Sequence, residues 1–201
     1  MQPDRSIPFY NIILRCDSWE EREPPLPEGF CIRSYLPGDE RAWAEWECAV
    51  GDFDSVGEAE RYFAETYLRS SADGRERLLF AVDPSGKAVG SCLAWHDERG
   101  GVPVASLHWL IVEEPSRRMG LGRALVCAVM NRFAERGELP VYLHTQPWSW
   151  FALPLYFELG FRWQRSDTFA RYENQYADAM RTLTEHLGKE SAAFFRKYAD
   201  G

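Results

Sequence analysis

The segment VASLHWLIVEEPSRRMGLGRALVCAVMNRFAE, residues 104–135, constrains this chain more than any other stretch. Its start alternates as a strand: Leu107, Trp109 and Ile111 make an apolar face, and Ser106, His108, Leu110 and Val112 a mixed one. Beyond Gly120, Leu121, Leu125, Ala128, Val129 and Phe133 recur at helical spacing, and Gly137 and Pro140 close the pattern. Between them lies a turn carrying Arg117, Arg118, Met119, Gly120, Leu121, Gly122 and Arg123. A strand fed through a glycine turn into a helix points backbone N–H groups and the positive end of the helix dipole at one spot, which favours an anion. A tight strand-to-helix connection that holds nothing reads the same way locally. Two phosphate-binding patterns are excluded. No Lys-Ser or Lys-Thr follows the second glycine, and Leu125 stands where the dinucleotide fingerprint needs its third glycine.

The rest of the chain reads as mixed α and β around one sheet. Strands are expected at residues 10–16, 30–35, 77–83, 88–96, 141–145 and 161–166, and helices from Glu40 with Asp39 as N-cap, over 55–68, and over 150–159 despite Pro154. The proline-rich connector 17–29 is the best boundary, giving an N-terminal strand and connector at 1–28, a central domain at 29–173 and a helical extension at 174–201. That extension reads as two amphipathic pieces divided near Gly188, forming a cover or a contact between two copies in a homodimer.

Against 31 acidic and 23 basic residues, net charge −8, the three arginines of the turn stand out as a local basic site. The same balance argues against a nucleic-acid partner or an anionic membrane surface. No apolar run approaches the roughly 18 residues of a membrane span, and the N-terminal run is too short and polar for a signal peptide. Five cysteines without CxxC spacing indicate neither a disulfide framework nor a metal site; a reducing cytoplasm is expected, with each cysteine a buried small hydrophobe.

Residues 110–123, LIVEEPSRRMGLGR, resemble the acetyl-CoA-binding motif of the GCN5-related N-acetyltransferase (GNAT) superfamily: Arg or Gln, two residues, Gly, one residue, Gly or Ala. Arg117, Gly120 and Gly122 fill it. Downstream, ALPLYFELGF (152–161) resembles the family's second signature, and FCIRSYLPGDERAW its first strand and helix, so the likeness covers about residues 29–173. Two motifs in register are far more specific than either alone. One departure is Ser149, which stands seven positions before Tyr156 where many members have asparagine.

The resemblance implies a single-domain acyl-CoA N-acyltransferase fold, with a central, mostly antiparallel sheet splayed at the cofactor strand and helices on both faces. It implies acetyl-CoA as co-substrate and transfer to a primary amine, on a small molecule or a peptide, by direct attack. The N–H groups of the turn would hold the pyrophosphate, Leu110, Ile111 and Val112 would line the pantetheine arm, and Ser149 would stand in for the missing asparagine contact. The Val112 N–H would face the developing oxyanion, and Tyr156 would protonate the leaving thiolate. For the base, His108 is the first candidate, ahead of His96, His144 and Glu98; a satisfied core histidine is the competing reading. The acceptor side is expected near Trp43, Trp46, Phe53, Trp148 and Trp150, with Asp52 or Asp54 suited to a cationic amine. A regulatory module that binds acyl-CoA without turnover, or one that transfers another acyl group, would carry the same turn.

Overall fold

A computed structural model describes residues 3–69 and 72–200. The first two residues of the expected N-terminal segment and the last of the C-terminal extension lie outside them. In chain order the elements are β1 (Ile12–Cys16), β2 (Cys31–Ser34), α1 (Asp39–Ala49), α2 (Val56–Phe63), α3 (Ala72–Glu76), β3 (Leu78–Val82), β4 (Ala88–Arg99), β5 (Val102–Val112), α4 (Leu121–Glu135), β6 (Val141–Thr145), α5 (Leu153–Glu158), β7 (Arg162–Gln164), α6 (Tyr176–Arg196) and β8 (Ala199–Asp200). The pairs β1–β6, β1–β7, β2–β3 and β3–β4 are antiparallel, whereas β7–β8 is parallel, which makes the sheet mixed.

The chain forms two compact units. One comprises Met1–Trp19, His96–Ser106 and Gly137–Gly201, the other Glu20–Trp95 and Leu107–Arg136, and β4 and β5 each pass from one to the other. Strand order is β4-β5-β6-β1-β7-β8 in the first unit and β2-β3-β4-β5 in the second.

The second unit is organised by its aromatic residues. Trp43, Phe63, Tyr67 and Phe80 are fully buried and form one cluster with Leu78, Leu93 and Ile111. α1 begins one residue earlier than expected. Gly38 is its N-cap at φ 106, and Asp39 is the first helical residue. The Asp39 carboxylate turns back instead, accepting two bonds from the Arg33 guanidinium at 2.6 and 2.9 Å and one from the Leu36 N–H at 2.7 Å. A bidentate charged partner outcompetes a cap bond.

Ser55 caps α2 as its side chain accepts the Glu58 N–H. The helix expected over 55–68 is α only to Phe63; Ala64–Leu68 is a π turn. The wider turn brings Tyr67 inward, fully buried. Helix α3 left no periodic signal in the sequence because it is a single turn.

In the first unit, Ile13, Tyr142 and Phe169 make a small core. Beside it Asp167 accepts hydrogen bonds from Arg15 at 2.7 Å, Arg99 at 2.6 Å and Tyr142 at 2.9 Å. Pro154 falls in the first turn of α5, where its missing N–H would have had no helical partner. A 3-10 turn, Pro147–Ala152, precedes it, so the single helix expected over 150–159 is two pieces. α6 breaks at Gly188 (φ 82, ψ 168), as expected, and the chain then adds β8, which the sequence did not signal. All five cysteines are free; Cys16, Cys92 and Cys127 are buried, but Cys31 is exposed, contrary to expectation.

Candidate active site

The second unit carries the strand, the turn and the helix on which the sequence reading rests. β5 does not run evenly to its end. Trp109 has φ 50, a left-handed conformation that a tryptophan adopts only under constraint. On an even strand His108 and Trp109 would point to opposite faces. Here the Trp109 Nε1–H donates to the Tyr67 hydroxyl at 2.7 Å, and His108 Nδ1 meets that same hydroxyl at 2.8 Å. The alternation expected through this strand therefore fails at 108–109.

Beyond this irregularity, β5 runs close to β4. A Cβ placed on Gly90 would lie 2.8 Å from the Ile111 carbonyl oxygen and 3.2 Å from the Val112 Cα, so any larger residue would displace the end of β5. The Glu113 N–H donates to the Val89 carbonyl at 2.9 Å and holds the strand end against β4.

The turn leaves β5 through a 3-10 turn, Glu114–Ser116. Lys87 pins Glu113 at 2.7 Å, and the Ser116 hydroxyl donates to the Glu113 carboxylate at 3.2 Å. Arg117 folds back, its Nε–H donating to the Val112 carbonyl at 2.9 Å. Arg118 has φ 65 and Gly120 has φ 88, while Arg117 between strand and turn is extended. Alternation of left- and right-handed backbone is the kind of turn that can form an anion-binding nest of N–H groups. Gly120 is the N-cap of α4 and brings no side-chain acceptor, and the first turn of the helix holds no acidic residue. Positive potential from the helix is thus left for something else to meet. The glycine is required by its backbone angle: the atom nearest to an added Cβ would be the Pro25 carbonyl oxygen, at 3.7 Å.

The proline-rich connector lies along α4. The Arg22 N–H donates to the Asn131 side-chain oxygen at 3.3 Å, and the Asn131 amide donates to the Arg22 carbonyl at 2.8 Å. Leu110 and Val112 are half-buried and Ile111 is buried; Arg118 and Met119 are exposed; Leu121 is buried, with Gly122 and Arg123 half-buried. Of the aromatic residues expected on the acceptor side, Trp43 is core. Its ring lies 5.6 Å from Phe53 and 5.4 Å from Trp109, spacings of packed rings that admit nothing between them. Trp46 and Phe53 are half-buried, and Asp52 and Asp54 are exposed.

The remaining expected residues belong to the first unit. Tyr156 is on α5, 7% exposed, edge-on to Phe161 at 5.9 Å, and its carbonyl accepts the Phe161 N–H at 3.0 Å. The Leu-Gly-Phe of the second signature is thus the turn that seats this tyrosine. Ser149 accepts a hydrogen bond from the Gln146 amide at 3.2 Å. His144 pairs with Asn11 at 2.9 Å and stacks on Tyr172 at 3.8 Å, and His96 meets Glu138 at 3.3 Å. Glu98 is exposed. Trp148 lies under the Arg5 guanidinium at 4.3 Å, and Trp150 is half-buried. Among the described residues, no group of three or more His, Cys, Asp or Glu side chains is placed to hold a metal ion.

Sequence reasoning missed Tyr67 and Gly90. An isolated glycine in a strand is a signal of close backbone approach and marked Gly90; nothing local marked Tyr67, whose partners are 41 and 42 residues away.

The family model described as "Acetyltransferase (GNAT) family" matches residues 38–161. A mycothiol acetyltransferase of Arthrobacter sp. (strain FB24) is 32% identical over 162 residues, 77% of this chain and 50% of that protein. One from Salinispora tropica is 32% identical over 152 residues, 70% of this chain and 48% of its own length. The chain therefore spans about half the length of the curated relatives it matches. Among solved structures, a GCN5-related N-acetyltransferase from Sphaerobacter thermophilus superposes with TM-score 0.59 at 27% identity, over 78% of this chain and 49% of that one. A GNAT-family acetyltransferase from Colwellia psychrerythraea gives the same TM-score of 0.59 at 14% identity, covering 78% of this chain and 54% of that one, a likeness of fold. With that family model spanning both signatures, the chain belongs to the GNAT acetyltransferase family.

Proposed function

We propose that the protein transfers an acetyl group from acetyl-CoA to a primary amine by direct attack. The observation that carries this reading is the uncapped start of α4, with Arg118 and Gly120 left-handed just before it and no acid in the first helical turn. A pyrophosphate fits that donor set, with Arg117, Arg118 and Arg123 supplying charge and the N–H groups of residues 118–123 supplying direction. Leu110, Ile111 and Val112 offer strand edge to the pantetheine arm, and Ser149 a short hydroxyl in place of the family's amide. Acetyl-CoA, when bound, supplies the activated acyl group. The Val112 N–H then stabilises negative charge on the thioester oxygen, and Tyr156 gives its proton to the departing sulfur. His108 belongs to the same machinery. Its part in moving protons depends on which ring nitrogen carries one.

The catalytic domain is residues 29–173 in this reading, flanked by 1–28 and 174–201, with the extension available as a contact between two copies. Five free cysteines suit a reducing cytoplasm. The curated relatives are named for mycothiol, so the acceptor panel begins with amines related to it and extends to other small and peptide amines. The test follows CoA release and acetylated product by mass spectrometry across that panel. Acetyl-CoA-dependent acetylation of an amine is expected. Binding of acetyl-CoA without turnover on any amine would replace this reading with that of a regulatory module.

A further inference from the structure

Helix α5 is six residues long, too short to hold its own geometry in water, so its packing partners decide how it sits. One partner comes from far along the chain. Phe157 is buried, and the Tyr198 ring stacks on it at 4.6 Å with an interplanar angle of 1°. Phe195 meets Phe157 from the same segment at 6.2 Å, and the Arg162 guanidinium lies over the Tyr198 ring at 5.5 Å. Arg162 also donates to the Phe161 carbonyl at 2.9 Å, in the turn whose N–H binds the Tyr156 carbonyl. The Tyr198 backbone is held separately. Its carbonyl accepts the Trp163 N–H at 2.7 Å, and the Asp200 carbonyl accepts the Arg165 N–H at 2.9 Å, which ties this segment to β7. The stacked ring thus hangs from the sheet and bears on the helix. Tyr156 and Phe157 are consecutive on α5 and so stand about 100° apart around its axis. Any roll of the helix that reseats Phe157 re-aims the Tyr156 phenol through the same angle.

We infer that Tyr198 is a positioning residue: by stacking on Phe157 it fixes the roll of α5, and with it the direction of the Tyr156 hydroxyl. The segment 194–200 is then a working part of the site, although it lies beyond both signatures, the second of which ends at Phe161. This rests on the reading of Tyr156 as the acid.

Steady-state kinetics of the full chain with an identified acceptor test this as a double-mutant cycle. Tyr198→Leu is expected to lower kcat about tenfold, with the KM for acetyl-CoA within about twofold of the wild type, since misaiming a reacting group costs rate and leaves cofactor contacts in place. Tyr198→Phe, which keeps the stacked ring and loses only the hydroxyl, is expected to recover most of that loss. In a Tyr156→Phe background, Tyr198→Leu is expected to cost less than about twofold more, because the hydroxyl it aims is already gone. Equal losses in both backgrounds would make Tyr198 a structural residue and overturn the inference. Wild-type kcat in Tyr198→Leu, or a Tyr198→Phe as slow as Tyr198→Leu, would overturn it too. If Tyr198→Leu does not fold, Tyr198→His, which puts a smaller flat ring in the same place, enters the same cycle. Unchanged kcat in Tyr156→Phe alone, or a wild type that acetylates no amine, would instead sink the proposed function, and the positioning role with it.

Discussion

Tyr156 is seated by a turn whose own amides bind its carbonyl, so removing only its hydroxyl leaves the packing of the ring against Phe161 in place. Tyr156→Phe is therefore expected to lower kcat by about 10²-fold, the usual worth of a positioned acid, with the KM for acetyl-CoA nearly unchanged. Steady-state kinetics with an identified acceptor check this; unchanged kcat would take the acid role away. Gly90 makes a different kind of prediction. An added methyl group would meet backbone atoms that cannot swing aside, so Gly90→Ala is expected to cost about 1–3 kcal/mol and to raise the KM for acetyl-CoA by moving Val112. Gly57, on α2 with open space around it, is the control: Gly57→Ala should stabilise by about 0.5 kcal/mol. Thermal melts of the two variants should move in opposite directions.

At the scale of elements, the turn into α4 is the decisive one. Gly120 stands at φ 88 with room for a Cβ, so Gly120→Ala is strained without being blocked. A penalty of about 1 kcal/mol is expected, or roughly 2–4 °C in Tm, together with a smaller thermal shift from acetyl-CoA because the nest flattens. If the ligand-induced shift is the same as in the wild type, the nest does not hold the pyrophosphate. This element was legible in the sequence because its information is local: the glycine, the arginines and the helical periodicity all lie within one continuous stretch. β5 was less legible. Its residues alternate on paper, but in the fold Trp109 packs against Trp43, Phe53 and Tyr62 and donates to Tyr67, contacts from distant segments that the pattern does not show. Asp39 shows the same limit, since its cap signal was sound but Arg33 took the carboxylate.

At the scale of the whole molecule, the charge network at Asp167 sets a dependence on pH. Burial would raise the pKa of this carboxyl, but hydrogen bonds from Tyr142, Arg15 and Arg99 outweigh it and hold the group below its ordinary 3.8. The unfolded chain therefore binds the Asp167 proton first as acid is added. The stabilisation is present in full above about pH 4 and is lost as pH falls through the lowered folded value. Asp167→Asn is expected to flatten that acid limb and to cost about 1–2 kcal/mol at neutral pH, less than a fully buried pair because Arg99 is half exposed. Urea unfolding between pH 3 and pH 7 reads both. A limb as steep in the variant as in the wild type would assign the acid sensitivity elsewhere.

By itself, the sequence determined the strand, the glycine turn and the helix that follows, and the spacing from that turn to Tyr156. Each of these is written in consecutive residues whose backbone angles and hydrogen bonds are satisfied nearby. The tertiary structure alone decided that Gly90 lies against Ile111 and Val112, that the connector runs along α4, and that Trp109 and His108 share the hydroxyl of Tyr67. Those facts depend on which groups the fold brings together from separate segments of the chain, and no local pattern names the partners.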